Sequence, residues 1–238
     1  MREIGPVTIR TLHTVEEFGA VKAIEDAVWQ DGESTPASLL KVFADHGGLV
    51  LGAYAAGGMA VGMAVAFPGR HEGVWYLHSH MMAILPGYRS AGIGRLLKER
   101  QVAWAREHGC AYVGWTFDPM QARNAVFNLR VLHARVMAFE PDYYGVLGDV
   151  LNGSFPSHRF FVTAGDGSPV RDWRRVRRLL PIPADIAALR REDPVRARQW
   201  ADAYARFFAR RNPQDGTVLG LARSPAGHLC YVIGEAQP

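Results

Sequence analysis

The stretch Val74–Leu85, VWYLHSHMMAIL, runs directly into PGYRSAGIG and then into RLLKERQVAWARE. The first part is a long apolar run and reads as a buried strand. In the last part, Ile93, Leu96, Leu97, Trp104 and Ala105 fall on one face of an amphipathic helix that stops near Gly109. A strand that feeds a glycine-containing loop and then a helix leaves the first helical N–H groups unpaired at the loop. Such an end carries partial positive charge and suits a phosphate or pyrophosphate. Gly92 and Gly94 allow close backbone approach to that anion, and Arg89 and Arg95 add charge-assisted contacts. Leu97 stands where the dinucleotide fingerprint GxGxxG needs its third glycine, and no acidic residue follows at the right distance. The Walker pattern also fails, since no GK[ST] is present.

The flanking sequence supplies the partners that this unit needs. Val7–Leu12 reads as a strand, and Thr14-Val15-Glu16-Glu17 as a capping box opening a helix through Phe18, Val21, Ile24 and Val28. Thr35-Pro36 starts a second helix with Leu39, Leu40, Val42 and Phe43. No Asp, Glu, Lys or Arg occurs between Asp45 and Arg70, and Gly58 and Gly62 spell GxxxG, so a membrane span has to be considered. Gly52, Gly57, Gly58 and Gly62 break that run, however. It reads instead as two buried strands, about 49–56 and 60–67, with a polar turn following at Pro68–Gly73.

Cys110–Phe117 is a further strand, and Asp118-Pro119-Met120-Gln121 opens a helix to about Val136 with Asp118 as its N-cap. Met137–Tyr144 and Arg159–Thr163 are strand candidates separated by an Asn152-Gly153 turn. The order β-α-α-β-β-β-α-β-α-β-β predicts a mixed α/β domain with a central sheet over residues 7–165. Residues 166–238 form a small α+β extension. It has a helix from Asp193-Pro194 striped by Trp200, Ala203, Tyr204 and Phe207, then short strands at Val218–Ala222 and Leu229–Ile233. The extension is small to stand alone, so it is expected to dock on the first domain or on a second subunit.

Composition narrows the function classes. Hydrophobic residues at 48% and charged residues at 21% exclude a disordered or collagen-like chain. Cys110 and Cys230, in no CxxC spacing, exclude a disulfide scaffold and a cysteine zinc site. The opening MREIGPVTIR has no apolar signal region, so the cytoplasm is the expected location. Residues 1–165 hold 14 Arg+Lys against 15 Asp+Glu, and residues 166–238 hold 13 against 8. The cluster from Arg171 to Arg178 has the composition to stack and neutralise a nucleic acid strand. Arg outnumbers Lys 24 to 3 across the whole chain, which fits genome base composition. A solvated face or a contact to a ligand phosphate is therefore expected, and a nucleic-acid partner is not.

Strand, then [QR]-x-x-G-x-[GA], then amphipathic helix resembles the coenzyme A loop of the GNAT acyltransferase superfamily. The element order over residues 7–165 is similar to that fold throughout. Thr116–Arg130, TFDPMQARNAVFNLR, looks like a poorly characterised bacterial branch. The resemblance implies an α/β fold with a mixed, mostly antiparallel central sheet flanked by helices. It implies an acyl-CoA-dependent N-acyltransferase that moves an acetyl or other short acyl group to a primary amine by direct attack. Acetyl-CoA or another short acyl-CoA is then the co-substrate, with no metal. The coenzyme is placed on Arg89, Ser90, Ala91, Gly92, Ile93, Gly94 and Arg95, and its pantetheine arm on the backbone of Met82, Ala83 and Ile84, where the strand splays from its neighbour. Asn124 and Asn128, one turn apart in the next helix, either contact the pantetheine or adenine end or line an exposed face.

His78 lies eleven residues before Arg89, where histone acetyltransferases of the superfamily carry a Glu base. Other members carry a His-x-His pair, as His78 and His80 do here. Two apart on a strand, both project from one face. An imidazole titrating near neutrality is suited to removing an ammonium proton. The alternatives are two core histidines held by hydrogen bonds, or a two-His metal site without a third ligand at suitable spacing. Many members place a Tyr in the following helix to protonate the leaving thiolate. Here that position is close to Leu129, and Tyr144, with Tyr143 on the next strand, is the nearest substitute. The missing Tyr leaves a non-catalytic acyl-CoA-binding sensor or scaffold as the alternative function. Trp29, His46 and Phe67 are acceptor-side candidates and equally good core residues. The expected partners are a small-molecule amine and, for the protein itself, a second copy in a homodimer.

Overall fold

Thr14 starts the first helix with its side chain. Its Oγ1 accepts the Glu17 N–H at 3.3 Å, while the Glu17 carboxylate accepts the N–H groups of His13 at 2.8 Å and Thr14 at 3.2 Å. Those two backbone donors hold the Glu17 carboxyl below the usual carboxylate range. This computed structural model describes residues 5–29, 34–147, 154–165, 176–209 and 217–234. The chain forms two compact units, Met1–Trp115 and Thr116–Pro238.

The first unit contains β1 (Thr8–Thr11), α1 (Val15–Val28), α2 (Ala37–Asp45), β2 (Leu49–Tyr54), β3 (Ala60–His71), β4 (Val74–Ile84), α3 (Ile93–Glu107) and the start of β5 (Val113–Phe117). Strands β1 to β4 pair antiparallel in sequence order, and β5 adds parallel to β4. The result is a mixed, mostly antiparallel sheet flanked by helices. Leu12, Phe18, Val21, Ile24 and Leu40 pack on Val50, Met63 and Val65 of the sheet. All six residues Val61–Ala66 of β3 are buried, so the strand is covered on both faces, with α1 and α2 on one and α3 on the other. This double burial accounts for the charge-free run. A turn joins its two strands, with the Ala55 N–H donating to the Met59 carbonyl at 2.9 Å and Gly57 and Gly58 at φ of +88° and +81°. No helix of the described residues is long and apolar enough to cross a membrane.

Two expectations for this unit are corrected. The turn after β3 is confined to Glu72 and Gly73, both at positive φ, so Pro68 lies inside the strand opposite Leu77. Leu77 gives its N–H to Tyr112 of the other neighbour. The Pro68–Leu77 pair is therefore not hydrogen-bonded, and the missing proline donor is not needed there. On α3, Leu96 is exposed, and the inward positions between Ile93, Leu97 and Trp104 belong to Lys98 and Gln101.

The second unit opens with the end of β5. Next come α4 (Ala122–Val126), continuing as a π-helical turn Phe127–Val131, then β6 (Arg135–Glu140) and β7 (Arg159–Ala164). The helix expected from Asp118 to Val136 is much shorter, because His133 at φ +52° reverses the chain ahead of β6. Gln121, not Asp118, is its N-cap residue. Tyr143 and Tyr144 lie in the turn after β6 and not on a strand. The expected Asn152-Gly153 turn and the first half of the arginine cluster lie outside the described residues.

β8 (Val176–Pro181), β9 (Thr217–Arg223) and β10 (Leu229–Gly234) form an antiparallel sheet in the order β8-β10-β9. It is accompanied by α5 (Ile186–Glu192) and α6 (Pro194–Ala209). The buried stripe of α6 is Ala197, Ala201 and Tyr204, while Ala203 is exposed. Phe208 stacks on Phe139 at 4.6 Å and meets Phe160 edge-on at 5.2 Å. The Tyr204 hydroxyl donates to the Pro181 carbonyl at 2.9 Å. α6 thus shares one aromatic core with β6 and β7.

Candidate active site

The residues between β4 and α3 form an exposed loop, Arg89 to Gly92. Ser90 and Gly92 both have left-handed backbone, at φ +64° and +81°, and Gly92 is the N-cap residue of α3. A Cβ on Gly92 would meet no atom within 4 Å. The backbone conformation, not crowding, therefore requires glycine, and any substitution there strains the loop as well as narrowing the approach to it. The N–H groups of Ile93, Gly94 and Arg95 open α3 without intrahelical acceptors. Arg89 Nε donates to the Ile84 carbonyl at 3.0 Å, and Arg95 Nε pairs with Glu99 at 2.7 Å. Both guanidinium groups stay exposed beside the helix end.

β4 is held on one side by β3 along its whole length, up to the Gly62–Ile84 pair. On the other side it pairs with β5 at Leu77–Val113 and His78–Gly114. Past His78, no described residue of β5 accompanies Met82, Ala83 or Ile84, so the two strands part there. The register of β3 against β4 also shifts at this point. Ala66 faces Ser79 and Val65 faces Met81, which leaves His80 as the extra residue of a β-bulge.

His78 is buried with its Nδ1 unpartnered. Its ring centroid lies 5.2 Å from Phe67, 6.0 Å from Tyr76 and 6.3 Å from His80. His80 opens more to solvent, 5.9 Å from Phe67. The shared face expected for the two histidines thus includes Phe67, whereas Trp29 packs in the α1 core and His46 is exposed at the end of α2. The near-neutral titration expected for the pair is corrected for His78. Burial, then the charges of His80 and Lys98, push its imidazole down to about 4. Desolvation by the surrounding wall also lowers His80.

Lys98 is a residue that pattern reasoning missed. Its ammonium is sealed under α3, donating to Ser79 Oγ at 2.8 Å and lying 4.0 Å from the centre of the Trp115 ring. Desolvation lowers it to about 7. Gln101, one turn later, is fully enclosed with neither amide atom hydrogen-bonded. The signal was available: spacing from Ile93 through Leu97 to Trp104 carries positions 98 and 101 inward.

Residues 13–129 match the family model described as acetyltransferase (GNAT) family. The chain carries a GNAT domain. The fold of this chain is similar to that of Chaetomium thermophilum Naa20 in complex with a bisubstrate analogue, with a TM-score of 0.53 and 18% identity over 67% of this chain and 88% of that one. It is also similar to the ribosomal-protein-S18-alanine N-acetyltransferase from Escherichia coli, at 0.53 and 15% over 71% and 98%. IAA acetyltransferase from Bacillus cereus gives 0.51 and 15% over 67% and 99%. At these identities the likeness is one of fold. No curated protein matches the sequence.

The remaining expected site residues belong to the second unit. Asn124 Nδ2 donates to Gln121 Oε1 at 3.1 Å, and the buried Asn128 donates to the Asn124 carbonyl at 2.9 Å inside the π-helical turn. The Tyr144 hydroxyl lies 3.1 Å from Thr116 Oγ1, and its ring lies under the Arg159 guanidinium at 5.3 Å. Leu129 is half-buried. The described residues contain no group of three or more His, Cys, Asp or Glu that could hold a metal.

Proposed function

We propose that the GNAT domain transfers an acetyl or other short acyl group from its coenzyme A thioester to a primary amine by direct attack. The observation that carries this reading is the juxtaposition on β4. The strand leaves β5 at His78, and a few residues later it enters a loop whose helix presents free N–H groups and two exposed arginines. The chemistry of that donor set fits a pyrophosphate: Ile93, Gly94 and Arg95 supply N–H groups, and Arg89, Ser90 and Ala91 border them. Met82, Ala83 and Ile84 lie where a pantetheine arm would run. A neutral His78, aided by His80, takes a proton from the amine as the C–N bond forms and the C–S bond breaks. The departing thiolate is then protonated, and Tyr144 is the nominated donor.

Residues 7–165 are read as the acyltransferase domain and residues 166–238 as an extension docked on it. Support comes from Tyr231, whose hydroxyl donates to the Pro119 carbonyl at 2.7 Å, and from Arg190, which pairs with Asp118 at 2.8 Å. The small-amine acceptor and the homodimer remain part of this reading.

The test is thiol release from acetyl-CoA with a panel of small primary amines, followed at pH 7.5. Replacing both His78 and His80 by Gln is expected to lower kcat by roughly 10²–10⁴ with acetyl-CoA affinity unchanged. Because His78 titrates near 4, the wild-type rate should not fall between pH 8 and 6 through loss of this base. A double variant with full activity would return the pair to the core. A wild type that binds acetyl-CoA yet releases no thiol with any amine would favour the sensor reading that Leu129 suggests.

A further inference from the structure

β5 pairs with β4 at Val113 and Gly114, and Thr116 lies two residues further on. Trp115, just before it, lies against the Lys98 ammonium at 4.0 Å, and Lys98 also donates to Ser79. Trp115 and Ser79 therefore face α3. Side chains alternate along a strand, so Thr116 projects from the opposite face of β5, as His78 does from the opposite face of β4. The Thr116 Oγ1 lies 3.1 Å from the Tyr144 hydroxyl. Tyr144 is 37% exposed, yet it is fixed at three points. Its N–H donates to Ser157 Oγ at 2.7 Å, its ring lies under the Arg159 guanidinium, and its hydroxyl meets Thr116. Ser157 and Arg159 are buried. Ser157 is held in turn: its N–H donates to Asp142 Oδ1 at 2.9 Å, and its carbonyl accepts the Tyr143 N–H at 3.1 Å. Polar groups drawn out of water to fix a half-exposed tyrosine point to a demand on where its hydroxyl sits.

We propose that Thr116 is a positioning residue for Tyr144: its hydroxyl donates to the phenol oxygen, which leaves the phenol proton free for the departing sulfur. This rests on the reading of Tyr144 as the proton donor. As the C–S bond breaks, the sulfur keeps the bonding pair and takes the phenol proton. The phenolate left behind accepts the Thr116 O–H and regains a proton from water. That role needs the hydroxyl at position 116 and not the methyl. The strand itself does not ask for a hydroxyl there. Val113, Trp115 and Phe117 of β5 are buried apolar side chains, and valine would suit the strand equally.

The test pairs a readout that needs no acceptor with turnover. Full-length protein carrying fluorotyrosine is observed by fluorine NMR without coenzyme, as wild type, Thr116→Val and Thr116→Ser, with Tyr144→Phe used for assignment. The Tyr144 resonance is expected to move in Thr116→Val and to return in Thr116→Ser. In the thiol-release assay, Thr116→Val is expected to lower kcat roughly tenfold or more, with the KM for acetyl-CoA unchanged and Thr116→Ser restoring the rate. Adding Thr116→Val to Tyr144→Phe is expected to cost nothing further, since both remove one device. Should Thr116→Val not fold, Thr116→Ala carries the same comparisons. A fluorine resonance that ignores the loss of the hydroxyl, a wild-type kcat in Thr116→Val, or losses that multiply in the double variant overturns the proposal. Tyr144→Phe at full rate would remove the tyrosine as the acid, and Thr116 with it. A wild type that releases no thiol sinks the acyl-transfer reading and this inference together. An impaired Tyr144→Phe beside an unimpaired Thr116→Val sinks the Thr116 inference alone.

Discussion

Lys98 in the first unit and Arg190 in the second are both buried cations, and they are treated in opposite ways. Arg190 reaches Asp118 at 2.8 Å, with the two side chains 5% and 2% exposed. Lys98 has a hydroxyl and an aromatic face. The paired charge is architectural. Asp118 also accepts the Met120 N–H at 2.8 Å, so the bridge fastens the turn after β5 to α5. The unpaired one ties little together that an apolar residue would not hold as well. A buried charge without a counter-charge is a mark of chemistry more often than of construction.

Breaking the bridge should give the largest effect. Arg190→Met leaves the Asp118 carboxylate buried and uncompensated, and is expected to cost roughly 3–5 kcal/mol in urea unfolding. A loss under about 1 kcal/mol would erase the contrast.

The second effect concerns pH. Lys98 holds its proton only to about pH 7 when folded, against an ordinary value of 10.5. Between those values the unfolded chain binds a proton that the folded chain lacks, so stability rises with pH. The gain from pH 7 to 9.5 is expected to be on the order of a few kcal/mol, and to be absent in Lys98→Met. Tyr204 and Tyr231, both raised by burial, keep their protons over this range. Urea midpoints at pH 7, 8.25 and 9.5 decide the matter. A flat wild-type profile would contradict the burial of an unpaired ammonium.

The smallest effect should come from a neutral bond in the paired region. Tyr231→Phe removes the donor to the Pro119 carbonyl and is expected to cost about 1 kcal/mol, measured in the same way.

Much of the fold could be read from the residues. The capping box at Thr14, the glycine-broken apolar run and the Arg89–Gly94 loop each state their local structure, because capping, double burial and positive φ admit few residue types. The left-handed backbone at Gly92 and the helix that starts there were legible for the same reason. The burial of Lys98 was there to be read from the spacing of Ile93, Leu97 and Trp104, but a lysine in a helix is usually counted as solvated and the exposed Leu96 offered a false apolar face. The β-bulge at His80 depends on pairing with β3, which no local pattern records. The early stop of α4 and the presence of β8 and α5 were hidden too: a positive φ at His133 is unusual for a non-glycine residue, and arginine-rich segments disguise the strand and helix they occupy.

The bond between Tyr231 and Pro119 spans 112 positions, and that between Arg190 and Asp118 spans 72. The turn that follows β5 is therefore finished by residues synthesised long after it. The β2–β3–β4 hairpins of the first unit can close on themselves as they emerge, whereas the second unit must hold its 118–121 turn open until β10 arrives. Its folding is governed by long-range loop closure. On a translating ribosome that leaves Phe117, Phe139 and Phe160 waiting for the late partners Phe208 and Tyr231, and this interval is when the nascent protein is most exposed to misassembly.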